Sequence, residues 1–126
     1  MECPFCAYAL DQNCWVAYTD EIFVIKDKYP ATDGHLLLIP YRHVSDYFDL
    51  TRQEQCEMNN LFDLCATILK KQYPGITGFN IGTNIGQSAG QSVDHCHVHM
   101  IPRRAGDVAN PKGGVRGCVP EKMSYE

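Results

Sequence analysis

The 126-residue sequence has no apolar run near the roughly 18–20 residues that a membrane-spanning helix needs, which excludes a helical span. Its first ten residues, "MECPFCAYAL", lack a basic stretch ahead of a long apolar one. A secretory signal is therefore not expected, and the expected location is cytoplasmic. There is no internal repeat and no low-complexity linker, and the length suits one domain, residues 1–126, around one core. Excess positive charge is missing too. The 11 Lys and Arg stand against 15 Asp and Glu, a net charge of −4. That argues against broad binding to nucleic acid, but a small anion needs only a local site.

Cysteine is not scarce: there are seven, a high and odd number. In a chain that is not exported, a disulfide framework is unexpected. Cys14, Cys56, Cys65, Cys96 and Cys118 have no ligand spacing and read as small buried apolar residues. Cys3 and Cys6 differ, because "CPFC" sets two thiolates at a spacing that suits one tetrahedral zinc. Zinc would need two more ligands. A redox role is less expected, since no helix is read directly after the pair.

Along the chain, "WVAYTDEIFVIKDK" reads as two strands, Trp15–Tyr18 and Ile22–Lys26, joined by a tight turn. "HLLLIP" is too apolar to have a wet face and reads as a central strand ended by Pro40. A short helical turn is expected at residues 45–48. Thr51 and Glu54 form a capping box at the head of a long helix. In that helix Met58, Leu61, Phe62, Cys65, Ile68 and Leu69 recur at spacings of three and four. "GFNIGT" reads as a fourth strand and residues 93–102 as a fifth. The fold class is α+β, mostly antiparallel. Residues 103–126 show little periodicity and are expected to wrap the surface, with Lys112 and Arg116 in "NPKGGVRG" suited to a mobile anion-binding segment.

Three of the five histidines fall in "HCHVHMIP", at every second position. On a strand, His95, His97 and His99 would line one face and Cys96, Val98 and Met100 the other. The second set can face a core. The first can bind metal, attack an electrophile or donate protons. The glycine-rich "NIGQSAGQS" just before it, with Gly82, Gly86 and Gly90, can turn backbone N–H groups toward an anion.

"GQSVDHCHVHMIPR" resembles the signature of the histidine triad (HIT) family, three histidines alternating with apolar residues. The resemblance extends through "PFC", "GHLLLIPYRHV" and "NIGQSAGQSV", over most of residues 3–104. "GD…NPKGGVRG…PEK" is similar to the tail of microbial and phage-type members usually labelled diadenosine-polyphosphate hydrolases. The resemblance implies a five-stranded antiparallel sheet with one long and one short helix, continued across a homodimer. It implies a nucleotide hydrolase or nucleotidyl transferase acting at the α-phosphate, with His97 as nucleophile and His99 donating to a phosphate oxygen. Gln91 and Ser92 would contact the α-phosphate and leaving group, Asn84 and Gly90 the phosphates, and Asp27 the ribose. His35 would support the site, and Ile22 and Phe23 would offer apolar contacts to the base. One branch of the family pairs C-x-x-C with two histidines, which here are His43 and His95. Cys3, Cys6, His43 and His95 would then hold a structural zinc. The alternatives are a nucleoside phosphoramidase, a quiet nucleotide-binding regulator, and an open zinc site in which the three histidines activate water.

Overall fold

Thr51 and Glu54 close their capping box. The Thr51 hydroxyl accepts from the Glu54 amide at 3.0 Å, and the Glu54 carboxylate accepts from the Thr51 amide at 2.7 Å. Two donors of the first turn are satisfied, a contribution of about 1 kcal/mol. The long helix α2 runs from there over Arg52–Gln72, burying Met58, Leu61, Cys65 and Leu69 along one stripe. This computed structural model describes residues 3–125; Met1, Glu2 and Glu126, the ends of the expected single domain, lie outside the described residues. Among the described residues no helix is long and apolar enough to cross a membrane.

Five strands form one antiparallel sheet: β1 (Trp15–Tyr18), β2 (Ile22–Lys26), β3 (Leu36–Pro40), β4 (Ile76–Gly82) and β5 (Val98–Arg104), in the order β1-β2-β3-β5-β4. The α+β architecture is as expected, but β5 starts five residues late. The reason lies in the partners of residues 95 and 96. The Cys96 amide donates to the Val44 carbonyl at 2.7 Å, in the loop after β3, and the His95 ring bonds the Pro40 carbonyl. Both commitments hold the chain off the ladder until Val98.

The alternation survives this shift. Cys96, Val98 and Met100 join Ile22, Val24, Leu36 and Leu38 in the core beneath α2. The opposite face carries Phe23, Ile25, Leu37 and Ile39, covered by Phe5, Trp15 and Tyr41. Sheet strands buried on both faces need apolar residues at successive positions, and "IFVI" and "LLLI" supply them.

Other expectations are corrected. Residues 45–48 give only a 3₁₀ turn, Tyr47–Asp49, capped by Asp46. A short α-helix, α1, instead spans Pro4–Tyr8. Cys3 is its N-cap, with Sγ accepting from the Cys6 amide at 3.3 Å, and Pro4 opens it, where a missing N–H costs nothing. A helix thus does begin within the C-x-x-C pair. Of the cysteines expected to be buried, Cys65 and Cys96 are, whereas Cys56 and Cys118 are exposed.

Candidate active site

His95, His97 and His35 each have one nitrogen fixed by a backbone partner, and His99 is fixed in turn through His35, so the neutral tautomers follow. The His97 Nδ1 lies 2.9 Å from the His95 carbonyl. A carbonyl only accepts, so neutral His97 carries its proton on Nδ1 and leaves Nε2 as a lone pair. The Thr83 hydroxyl donates to the His97 carbonyl at 2.7 Å, tying β4's end to this segment. Phe5 packs on the imidazole with ring centroids 4.8 Å apart, and His97 is buried.

His99 is reached through His35. The Ala31 amide donates to His35 Nδ1 at 2.9 Å, so the His35 proton sits on Nε2. That Nε2 lies 2.9 Å from His99 Nδ1 and 3.3 Å from the Asp27 carboxylate. His99 Nδ1 therefore accepts, and its own proton sits on Nε2. Burial pushes His35 below the ordinary histidine range, opposed by the Asp27 charge. Burial, then neighbouring His35 and His97, also lower His99. Both are held neutral near pH 7, as the tautomer argument requires.

His99 pairs with Leu37 on β3 and with Gly82 on β4. A side chain at Gly82 would point into open space, so the floor beside His99 is bare backbone. A cleft of about 850 Å³ opens there, a size suited to a small-molecule ligand. His35, His99, Asn84, Ser88 and Gly90 line one part of it. Gly86 and Gly90 adopt φ of 90° and 96°, the left-handed region that bends this loop around the cleft.

The other expected residues divide. Gln91 is committed to the loop: its Oε1 accepts from the Gly86 amide at 2.9 Å and its Nε2 donates to the Ser45 and Val93 carbonyls at 2.6 and 3.1 Å. It braces the loop and has no free amide group for a phosphate. Ser92 is exposed next to it. Asp27 turns one carboxylate oxygen to the Tyr29 amide at 2.8 Å and the other to His35 and His99. Ile22 and Phe23 are both 0% exposed, the first beneath α2 and the second between the Trp15 and Tyr41 rings. Neither can touch a base, which corrects that expectation. Thr83, Phe5 and Ala31 were not anticipated. The position of Phe5 between the two cysteines is the signal that could have found it.

Cys3, Cys6, His43 and His95 converge beside the histidine row. Their ligating atoms all lie within 4.8 Å of one another. Cys3 Sγ and Cys6 Sγ lie 3.3 and 3.5 Å from His95 Nδ1, and the two histidine Nδ1 atoms are 3.1 Å apart. Around a tetrahedral zinc with ordinary bond lengths, N···N edges are about 3.3 Å and S···N edges about 3.5 Å. His95 Nε2 donates to the Pro40 carbonyl at 2.9 Å, which frees Nδ1 to ligate and fixes the ring as metal-binding histidines require. The donor set fits a metal, and all four positions come from protein.

Residues 11–106 match the HIT domain family. That span contains the histidine row but begins after Cys3 and Cys6. The chain is 39% identical over 98 residues to the AP-4-A phosphorylase of Mycobacterium tuberculosis, covering 77% of this chain and 50% of that protein. It thus spans half that relative's length. It is 30% identical over 96 residues to the bis(5'-adenosyl)-triphosphatase of Dictyostelium discoideum, covering 75% and 64% of the two chains. A Zn-bound histidine triad family protein from Mycobacterium smegmatis superposes with a TM-score of 0.77 at 31% identity, over 87% of this chain and 81% of that one. With three alternating histidines running into β5 of a five-stranded antiparallel sheet, and a family match over most of its length, the chain belongs to the HIT domain family.

Proposed function

We propose that this chain is a nucleotide hydrolase or nucleotidyl transferase, cleaving dinucleoside polyphosphates at the α-phosphate through a covalent intermediate on His97. The observation that carries the reading is the His97 tautomer. The His95 carbonyl accepts from Nδ1–H, with Nδ1 and oxygen 2.9 Å apart, so in the neutral ring the lone pair is on Nε2 and no separate base is needed. The names of the Mycobacterium tuberculosis and Dictyostelium relatives supply the substrate class.

In the first step the Nε2 lone pair bonds to the α-phosphorus as its bond to the bridging oxygen breaks. The shortened nucleotide leaves with that electron pair. His99 donates its Nε2 proton in a hydrogen bond to a non-bridging oxygen, where charge develops. In the second step water attacks phosphorus, its proton passes to solvent, and the P–N bond breaks. Nucleoside monophosphate leaves and the lone pair returns to His97. Asn84 and the Gly90 backbone serve the phosphates, Ser92 the leaving group, and Asp27 the ribose. Gln91 serves through the loop it braces. If inorganic phosphate replaces water, the product is a nucleoside diphosphate; the relative named a phosphorylase favours this second reading.

Zinc is the proposed occupant of Cys3, Cys6, His43 and His95, where it would anchor the N-terminus and take no part in bond breaking. The working unit is proposed as a homodimer, since β4 is a terminal strand of the sheet.

The test is a panel of dinucleoside polyphosphates and nucleoside phosphoramidates, with and without inorganic phosphate, and products identified by mass. An alkaline quench should trap one nucleoside monophosphate per active chain. Turnover with no such adduct would overturn the covalent route.

A further inference from the structure

The cleft beside His99 has a second, different wall. Beyond the polar end its lining passes to Ile101 on β5 and to Val115, Cys118 and Val119 of the C-terminal segment. Val115 is 66% exposed and Val119 49%, so these side chains are turned out. The segment that presents them is not loose. A 3₁₀ turn covers Gly114–Cys118 and a second covers Pro120–Lys122. The Arg116 guanidinium donates through Nε and Nη2 to the Lys122 carbonyl at 3.1 and 2.8 Å, and it stacks over Tyr125 at 5.0 Å. Gly113 has φ of 96°, and a Cβ there would fall 2.1 Å from the Met123 carbonyl oxygen. Arg116 is thus spent on folding the tail, which corrects its expected role as part of a mobile anion trap.

We infer that residues 115–119 form the seat for the second, departing nucleoside of the substrate, its base lying against Val115, Val119 and Ile101. The inference rests on the nucleotide reading of the cleft given above. Two observations choose this occupant. First, the cleft gathers His99, Asn84 and Gly90 at one end, and Ile101, Val115 and Val119 with the Asn80 amide at the other, which matches a ligand with phosphates at one end and an uncharged ring with apolar faces and polar edges at the other. Second, the wall lies on the β4 side of β5, whereas Asp27 lies beyond β3, on the other side. In-line displacement sends the departing nucleotide away from His97 while the transferred nucleoside stays on phosphorus through its ester oxygen, so the two nucleosides need separate seats. Asp27 stands on the side of the transferred one.

The experiment uses the full chain with His97→Ala, so that ligands are bound but not cleaved. Affinities for AMP and for diadenosine tetraphosphate are measured by calorimetry, with and without Val115→Ser plus Val119→Ser. Both valines are exposed, so melting should not change; Val119→Ser alone provides a milder variant. Diadenosine tetraphosphate should bind about tenfold more weakly to the double variant, with AMP unchanged. The inference is overturned if the dinucleotide loses less than twofold, or if both ligands weaken equally. It is also overturned if the substitutions change the sedimentation coefficient and not the affinity, since the wall would then be covered by a second copy of the chain. If neither nucleotide binds with the valines intact, the nucleotide reading itself falls, and this inference falls with it.

Discussion

The Nε2 of His35 stands 2.9 Å from the Nδ1 of His99, and the amide of Ala31 decides which ring carries the shared proton. In the proposed reaction His35 is a positioning residue: its Nε2–H occupies His99 Nδ1 and leaves the His99 proton on Nε2. Replacing His99 with Ala should lower kcat by about 10²–10³, as for a lost oxyanion donor. His35→Ala should lower it less, and His35→Gln should recover part of the loss, because its amide can donate to His99. Full turnover by His35→Ala would show that the pair is only structural.

Stability should depend on pH through the same pair. Burial lowers both rings below the ordinary value of 6.5. The unfolded chain then takes up protons first as pH falls. The stability contributed by keeping these rings neutral is present above pH 6.5 and is lost as pH falls toward the folded-state values. Melting temperature should be flat on the alkaline side of that value and decline below it, more shallowly in His35→Gln. A decline of equal slope in both proteins would assign it to other groups.

His97→Ala should fold normally, keep the proposed zinc and lose turnover by about 10⁴–10⁶-fold, as when a covalent nucleophile is removed. Mass spectrometry after alkaline quench should find the monophosphate adduct on the native chain and not on this variant. An adduct on the variant would move the nucleophile elsewhere.

His95→Ala should do the opposite. Bound zinc, measured by elemental analysis, should fall below one per chain. The melting temperature should drop by about 10 °C, since a structural metal contributes folding free energy directly. One zinc per chain and unchanged melting would refute the four-ligand assignment.

Sedimentation at micromolar concentration should find a dimer. Leu64 on α2 and Ile81 on β4 are 48% and 43% exposed, apolar area that a partner would cover. Monomer alone would count against the expected dimer.

Much of this was legible in the residues. The alternation of Cys96, Val98 and Met100 against His95, His97 and His99 is a local property of extended chain. It holds even where the ladder has not begun. The helix start at Thr51 was legible because a capping box is closed within four residues. The late start of β5 was not, because it depends on the carbonyls of Val44 and Pro40, some fifty residues away in sequence. The burial of Ile22 and Phe23 had a signal that the base-contact expectation overlooked: four apolar residues in succession leave no wet face on either side. The tail had none, since its shape comes from Gly113, Arg116 and the Lys122 carbonyl and not from periodicity.

Phe5 lies between Cys3 and Cys6 in sequence, and its ring meets both His95 and His97, with centroids 5.9 and 4.8 Å away. A helix of five residues has no stability of its own in water. Whatever holds the two cysteines to His43 and His95 therefore also holds a hydrophobic lid against the His97 ring. Releasing that cluster would wet the His97 imidazole before it disturbed the sheet.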